Sequence, residues 1–123
     1  MREIKFRAWN KQKKEMMKVS SISLENKEIA VKDFGTYHFF RIKDIELMQY
    51  IGLKDKNDKE VYEGDIVVLN NIENDNMCIV RYEHSRYRLE GWSLREDLSN
   101  VEDRFLEVVG NIYENKNLLE ENN

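Results

Sequence analysis

Hydrophobic and polar residues alternate along much of this chain, which is the pattern of half-buried β-strands. Residues 3–9 show the alternation first, with Ile4, Phe6 and Ala8 on one face and mainly charged residues on the other. A polar turn and a short apolar segment follow. Residues 3–19 therefore predict an N-terminal β-hairpin.

The clearest strand signals lie in the second half of the chain. Residues 45–51 form one strong strand, and residues 66–69 are β-branched or apolar on both faces, as in a central strand. A charged turn and the tight turn Glu63-Gly64-Asp65 lie between them. A further hairpin and a closing strand are predicted over residues 77–82, 86–89 and 105–113.

Two segments give weaker signals. Residues 20–44 hold only weak strand candidates and a turn at 33–36, so we expect a mobile linker there. Residues 94–104 have apolar residues at helical spacing, and Ser93 could cap them, which predicts one short helix or a helical turn. Gly110 interrupts the closing strand and predicts a β-bulge or a close backbone approach.

Many short strands with frequent turns and little helix predict a mostly β protein, either a small barrel or a sandwich. The length of 123 residues fits one core. We expect an N-terminal hairpin and linker extension over residues 1–44, a barrel body over 45–119 and a frayed tail over 120–123.

The composition excludes two classes of protein. A single cysteine, Cys78, permits no internal disulfide, which excludes a disulfide-stapled secreted fold. No apolar run approaches the roughly 20 residues of a membrane helix, and charged residues at the N-terminus leave no room for a signal-peptide core. We therefore expect a cytoplasmic protein with no membrane partner.

Charge is distributed unevenly along the chain. The net charge is −4, yet residues 1–20 hold seven basic and two acidic residues, and residues 90–123 hold nine acidic and three basic residues. The two ends could lie together, within one chain or between copies, or the basic end could reach a phosphate backbone. We favour the first interpretation, because charge pairing between segments is the commoner outcome in an acidic domain.

Three blocks of the chain resemble a known family when they are taken together. They are Lys5-Phe6-Arg7-Ala8-Trp9, then Gln49-Tyr50-Ile51-Gly52-Leu53-Lys54-Asp55-Lys56-Asn57-Asp58-Lys59-Glu60-Val61-Tyr62-Glu63-Gly64-Asp65-Ile66-Val67, then Val108-Val109-Gly110-Asn111-Ile112-Tyr113-Glu114-Asn115. In that order and spacing they closely resemble the YopX-like family of phage and prophage proteins, from about residue 2 to about residue 119.

The resemblance implies a fold more than a function. It implies an SH3-like β-barrel core with an N-terminal β-hairpin extension and at most one short helix, in a phage-borne family without an assigned activity. This chain has Asn57-Asp58 where the family usually has Asn-Gly, Ile51 where Thr is common, and Lys116 where Pro often stands. Because Asp tolerates a left-handed backbone, we expect the central hairpin to survive.

The residues that could bind a metal lack the necessary spacing. His38, His84 and Cys78 form no short-spaced ligand pair of the kind zinc sites use. Cys78 stands among apolar residues of a predicted strand, so we interpret it as a buried packing thiol. We expect no metal and no cofactor.

The acidic turns also fail as catalytic or metal sites. A calcium loop counted from Asp55 would have Lys59, Glu60 and Ile66 at positions five, six and twelve, where an oxygen ligand, Gly and Glu are needed, so we expect a solvated hairpin turn. In Glu63-Gly64-Asp65 we expect Gly64 to supply a positive φ angle and the acids to solvate the turn. No nucleotide-binding or hydrolase motif occurs. We expect no catalytic residue and no enzyme activity.

Interleaved cations and aromatic rings are the remaining signal. They predict a possible interaction surface at Arg7, Trp9, Arg81, Tyr82, Arg86, Tyr87, Arg88 and Trp92. Such residues serve as structural caps or oligomer contacts, as anchors for a partner protein, or as stacking and phosphate contacts for nucleic acid.

Two functional hypotheses follow from these patterns. The first is a non-enzymatic phage accessory protein that self-associates and presents a surface to a host or phage protein, since the end charges are opposite and residues 1–19 look separable. The alternative is a nucleic-acid-binding phage regulatory protein that uses the basic N-terminal arm and the strand region 81–92.

Overall fold

The computed structural model describes residues 4–69, 77–83, 86–90, 95–97 and 106–120. Contacts within the chain divide it into two compact units, Glu3–Gln49 and Tyr50–Asn123. The division falls five residues beyond the predicted start of the barrel body. Strands dominate both units, and the described residues contain one short α-helix, so the mostly β prediction is confirmed.

The first unit begins with the predicted hairpin. Its strands are β1 (Phe6–Asn10), β2 (Glu15–Lys18), β3 (Ser21–Ser23), β4 (Glu28–Asp33), β5 (Thr36–Arg41) and the first half of β6 (Ile45–Lys54). β1 pairs antiparallel with β2 on one side and with β6 on the other. The Asn10 side-chain oxygen accepts the backbone N–H groups of Gln12 and Lys13, both at 3.1 Å, and so closes the turn.

A three-stranded meander occupies the place of the expected linker. β4 pairs antiparallel with β3 and with β5, so the interpretation of these residues as a linker is wrong. Phe34 and Gly35 have φ angles of +49° and +80°, which is the two-residue turn that fits the twist of a hairpin. The turn at residues 33–36 is thereby confirmed. A 3₁₀ turn over Ile42–Asp44 leads into β6.

The first unit has its own core, and β1 is part of it. Ala8, Ile29 and Ile45 are buried together, and partly buried side chains pack around them, namely Met17, Val19, Ile22, Val31, Phe40, Ile42 and Leu47. Because Ala8 contributes from the middle of β1, the hairpin at residues 1–19 is not separable, and that part of the hypothesis is wrong.

The second unit is mainly one antiparallel sheet. Its elements are the second half of β6, β7 (Glu60–Tyr62), β8 (Asp65–Leu69), β9 (Met77–Glu83), β10 (Arg86–Glu90), β11 (Arg95–Asp97), β12 (Leu106–Asn111) and α1 (Lys116–Glu120). Five strands follow the order β11-β10-β9-β8-β12, and β7 pairs with β6.

The helix predicted at residues 94–104 is wrong where the structure describes that segment. Residues 95–97 form β11, and Glu96 lies opposite Leu89 of β10. The neighbouring strand provides the backbone pairing, and this overrides a local spacing of apolar residues that also fits a helix. The rest of the segment lies outside the described residues. Among the described residues, no helix is long and apolar enough to cross a membrane.

The core of the second unit confirms the interpretation of Cys78. It consists of Ile51, Val61, Val67, Leu69, Cys78, Val80 and Leu106, with Leu53 and Val108 packed against them. Burial raises the pKa of the Cys78 thiol. The side chain therefore behaves as a small apolar group within the sheet.

Candidate interaction surfaces

Asp55 is a buried acceptor rather than a solvated acid of a surface turn. One carboxylate oxygen accepts the N–H groups of Asn57 and Lys59, at 2.8 Å and 2.9 Å. The other accepts the N–H of Val108, at 2.9 Å, across 53 residues of sequence. Burial alone would raise the pKa of this carboxyl and is the largest single influence, but the three hydrogen bonds together hold it below its ordinary value.

The turn that follows Asp55 is attached to β12 by further bonds. The backbone N–H of Lys56 donates to the carbonyl of Leu106 at 2.8 Å, and the Lys56 ammonium lies 3.4 Å from the Glu107 carboxylate. Asp58 has a φ angle of +66°, which confirms that Asp accepts the left-handed position of this turn. The charged segment at residues 54–59 is therefore a hairpin turn as predicted, but it is bonded to β12, which is distant in sequence, rather than simply solvated.

The turn around Gly64 is also structural. Gly64 has a φ angle of +84°, as predicted, and its N–H donates to the Val80 carbonyl while its own carbonyl accepts from Ile112, both at 2.9 Å. Asp65 is buried, and its carboxylate accepts the N–H of Tyr62 at 2.8 Å. The expectation that Asp65 solvates the turn is therefore wrong, because the carboxylate completes the backbone bonding instead.

Gly110 of β12 was predicted to mark a β-bulge or a close backbone approach. The register between β8 and β12 shifts just before Gly110, which confirms the bulge. A side-chain carbon on Gly110 would lie 2.6 Å from Cγ of Asn115, so the close approach is confirmed as well. The Asn111 side-chain oxygen accepts the N–H groups of Tyr113 and Glu114 and closes the turn after the strand.

These contacts assign folding roles to Asp55, Asp65, Gly64 and Gly110. Within the described residues, no cluster of three or more His, Cys, Asp or Glu side chains could hold a metal ion. His38 is exposed on β5, whereas His84 lies outside the described residues. Candidate functional residues must therefore be sought among side chains that the fold leaves exposed.

The hairpin of β9 and β10 brings four of the predicted surface residues together. Arg81 lies opposite Arg88, and Tyr82 lies opposite Tyr87. Arg81 is exposed, and the Tyr82 side chain is 55% exposed. We call these four residues the Arg/Tyr hairpin. Trp92 lies outside the described residues.

The other predicted surface residues are placed differently. Arg86 begins β10 opposite Glu83. Arg7 and Trp9 lie in the first unit, on the face of β1 opposite to Ala8, and both are half-buried. Of the eight predicted residues, Arg81, Tyr82, Arg86, Tyr87 and Arg88 thus belong to one hairpin of the second unit, and Arg7 and Trp9 belong to one strand of the first unit.

Strand β5 exposes aromatic residues that sequence reasoning missed. The side chains of Tyr37 and Phe39 are 52% and 63% exposed, and Phe34 in the preceding turn is fully exposed. Successive side chains of a strand point to opposite faces, so Phe40 packs against the core while Tyr37 and Phe39 share the outer face. The sequence signal was a short segment with aromatic residues on both faces of a strand, Tyr37 and Phe39 on one and Phe40 on the other. A core on one side of the strand can bury only one of these faces.

The outer edge of β5 is open with respect to the strands that the structure describes. In the sheet order β3-β4-β5, the strand pairs only with β4 among the described residues. The N–H of Ile42 donates to the carbonyl of Lys27 at 3.0 Å, which fixes the alternation of bonds along the pair. By that alternation the N–H and C=O groups of Tyr37, Phe39 and Arg41 point away from β4. We call this edge, with the Tyr37 and Phe39 side chains, the β5 surface.

Comparison with known proteins identifies the family and supports the fold. The protein EF1440 from Enterococcus faecalis has a similar structure, with a TM-score of 0.69 and 27% identity, over 97% of this chain and 99% of that one. The protein yopX from Bacillus subtilis is similar in fold, with a TM-score of 0.67 and 19% identity over the same shares of the two chains. No curated protein matches the chain. The family model described as YopX protein matches residues 5–120, and the chain therefore belongs to the YopX family.

Proposed function

We propose that this YopX family member is a non-enzymatic phage or prophage accessory protein that self-associates in the cytoplasm of a bacterial host. The observation that carries the proposal is the β5 surface, where exposed Tyr37 and Phe39 lie beside an open strand edge. Exposed aromatic area and unpaired backbone groups both favour the addition of another strand. Proteins usually protect an exposed strand edge against pairing with other chains, unless the edge serves an interaction.

The state of the potentially reactive groups supports a non-enzymatic role. The Asp55 and Asp65 carboxylates are occupied by backbone N–H groups, as their distances show. The Cys78 thiol is buried, and its pKa is raised, whereas a nucleophilic cysteine needs a lowered pKa. The groups most suited to chemistry are therefore engaged in folding.

The assembled protein would present a second surface to a host or phage protein. The Arg/Tyr hairpin suits this purpose, because arginine and tyrosine are enriched among the residues that dominate the energetics of protein interfaces, and Arg81 and Tyr82 are exposed. The Arg/Tyr hairpin belongs to the second unit, whereas the β5 surface that we propose for contacts between copies belongs to the first unit.

Light scattering after size-exclusion chromatography tests the proposal. We expect the wild-type mass to be at least twice the monomer mass and to fall on dilution. Phe39→Lys places a charge on the β5 surface and should give a folded monomer, with the melting temperature of wild type diluted to the monomer, because association itself raises the melting temperature. Leu24→Lys is the matched control, since Leu24 is 82% exposed in the turn between β3 and β4 and not on β5, and it should behave as wild type. A wild type that is monomeric at every concentration would contradict self-association.

Nucleic-acid binding is the second candidate function, and the Arg/Tyr hairpin favours it. Paired arginines and tyrosines on adjacent strands could hold phosphates and stack bases. Two observations weaken it: Arg88 also lies opposite Asp97, and Lys11 of the basic hairpin is paired with Glu46 at 3.1 Å.

The salt dependence of binding tests this candidate. Fluorescence anisotropy with a labelled single-stranded oligonucleotide should show binding that weakens steeply as salt rises. Arg81→Ala should weaken binding, whereas Leu24→Ala should not. No binding at low salt would exclude this function.

A further inference from the structure

We propose that two copies of the chain pair through their β5 edges as antiparallel strands, with His38 of one copy directly opposite His38 of the second copy. The inference rests on the proposed self-association and specifies its geometry. It is carried by the direction of the backbone groups along the edge, the placement of the aromatic side chains and the charges at the ends of the strand.

The backbone groups restrict the possible alignments. An antiparallel ladder forms when residues whose N–H and C=O groups point outward face residues of the same kind. On β5 these are the odd-numbered residues Tyr37, Phe39 and Arg41. Odd residues must therefore face odd residues, and the twofold axis passes through a residue rather than between two residues.

The aromatic side chains select the alignment centred on His38. It places Tyr37 of each copy opposite Phe39 of the other, which gives two aromatic pairs on the outer face. An axis through Tyr37 would instead place Phe39 opposite Gly35 of the turn and leave the ring uncovered. The alignment centred on His38 covers both exposed rings that the first unit presents on β5.

Charge disfavours the alignment centred on Phe39 relative to the one centred on His38. That alignment would bring Arg41 of the second copy opposite Tyr37, and the Lys32 ammonium already lies 5.7 Å from the centre of the Tyr37 ring. Two cations would then share one ring. With the axis through His38, Arg41 lies opposite Gly35 of the other copy, in the turn that begins at exposed Asp33. Opposite charges are thereby placed near each other at both ends of the pair.

Disulfide cross-linking tests the alignment residue by residue. Residues opposite each other in an antiparallel pair have Cα atoms about 4.5–5.5 Å apart, within the range that a disulfide spans. Three single-cysteine additions are compared: His38→Cys, Phe39→Cys and Leu24→Cys as the control. The natural thiol of Cys78 is fully buried and does not compete.

The expected result is a covalent dimer of His38→Cys under mild oxidation, formed at least tenfold faster than with Leu24→Cys. Phe39→Cys should cross-link no faster than the control. Faster cross-linking through Phe39→Cys would overturn the alignment. If neither β5 variant exceeds the control while the wild type is multimeric, the β5 interface is wrong and self-association stands. If the wild type is monomeric, both proposals fail.

Discussion

The turn at residues 55–59 of the second unit, which we call the Asp55 turn, and strand β5 of the first unit both differ from what their composition suggests, in opposite directions. The turn is charged in sequence and looks like solvated surface, yet its first carboxylate is buried under three backbone hydrogen bonds. Strand β5 is aromatic in sequence and looks like core, yet Tyr37 and Phe39 are more than half exposed. Backbone hydrogen bonding decides the first case, and the two-faced geometry of a strand decides the second.

The comparison separates residues that make the fold from residues available for function. Asp55, Gly64 and Gly110 belong to the blocks by which the chain resembles its family, and each has a structural role. The rings of Tyr37 and Phe39 on β5 are more than half exposed, although the Lys32 ammonium lies 5.7 Å from the centre of the Tyr37 ring. Family resemblance thus reports the fold, and the side chains that the fold leaves exposed are the ones to test for function.

Removing the Asp55 carboxylate should produce the largest loss of stability. Asp55→Ala leaves three backbone N–H groups without their acceptor, and we expect the free energy of unfolding to fall by about 3 kcal/mol or more. Urea denaturation measures the change. The exposed Asp44→Ala serves as the control and should change stability by less than about 0.5 kcal/mol. A loss below 1 kcal/mol for Asp55→Ala, on the order of one ordinary hydrogen bond, would show that the bonds do not stabilise the fold.

Adding a methyl group at Gly110 should have the next largest effect. Gly110→Ala forces a carbon against the Asn115 side chain, and overpacking of this kind costs about 1–3 kcal/mol. A double-mutant cycle with Asn115→Gly, followed by urea denaturation, isolates the clash. The two changes should together cost less than the sum of the single variants. Additive losses would mean that the close approach is not the cause.

Acid should weaken the second unit through Asp55. The pKa of this carboxyl is lowered in the folded protein, so the unfolded chain takes up the proton first as the pH falls. The stabilisation is therefore complete above the unfolded pKa of about 4 and is lost as the pH falls through the lower folded value. Urea denaturation between pH 7 and pH 3 should show a smaller pH dependence in Asp55→Asn than in wild type. Equal dependence in the two proteins would contradict this assignment.

A change in the turn before β5 should give the smallest effect, and a favourable one. Phe34 is fully exposed at a φ angle of +49°, which costs a bulky residue more than it costs asparagine. Phe34→Asn should raise the free energy of unfolding by roughly 0.5 kcal/mol, because Asn-Gly suits this turn. Phe34→Leu keeps the strain and should bring no gain. Thermal melts of wild type, Phe34→Asn and Phe34→Leu, at concentrations that favour the monomer, measure the change. Equal melting temperatures for Phe34→Asn and wild type would contradict the prediction.

The sequence predicts those features whose causes are local. The hairpin of β1 and β2, the positive φ of Gly64 and the bulge at Gly110 each follow from alternation or from a glycine. The bond from Val108 to Asp55 could not be predicted, because its partners lie 53 residues apart and meet only after β12 is in place.

Two other features needed the folded chain for related reasons. Strands β3 and β4 gave weak patterns and β5 was not predicted, since their pairing depends on neighbouring strands more than on their own residues. The Arg/Tyr hairpin was predicted because alternating cations and rings are visible in the sequence, whereas the exposure of Tyr37 and Phe39 depends on which face of β5 meets the core.

Hydrogen–deuterium exchange at two protein concentrations tests the central claim most directly, which is that β5 joins copies while the Asp55 turn holds the fold. The amides of Tyr37 and Phe39 point outward from the edge, so they should exchange quickly in dilute protein and become protected as concentration rises. The amides of Lys59 and Val108, which donate to Asp55, should stay protected at both concentrations. Rapid exchange of the Tyr37 and Phe39 amides in a sample that is fully multimeric would contradict the account.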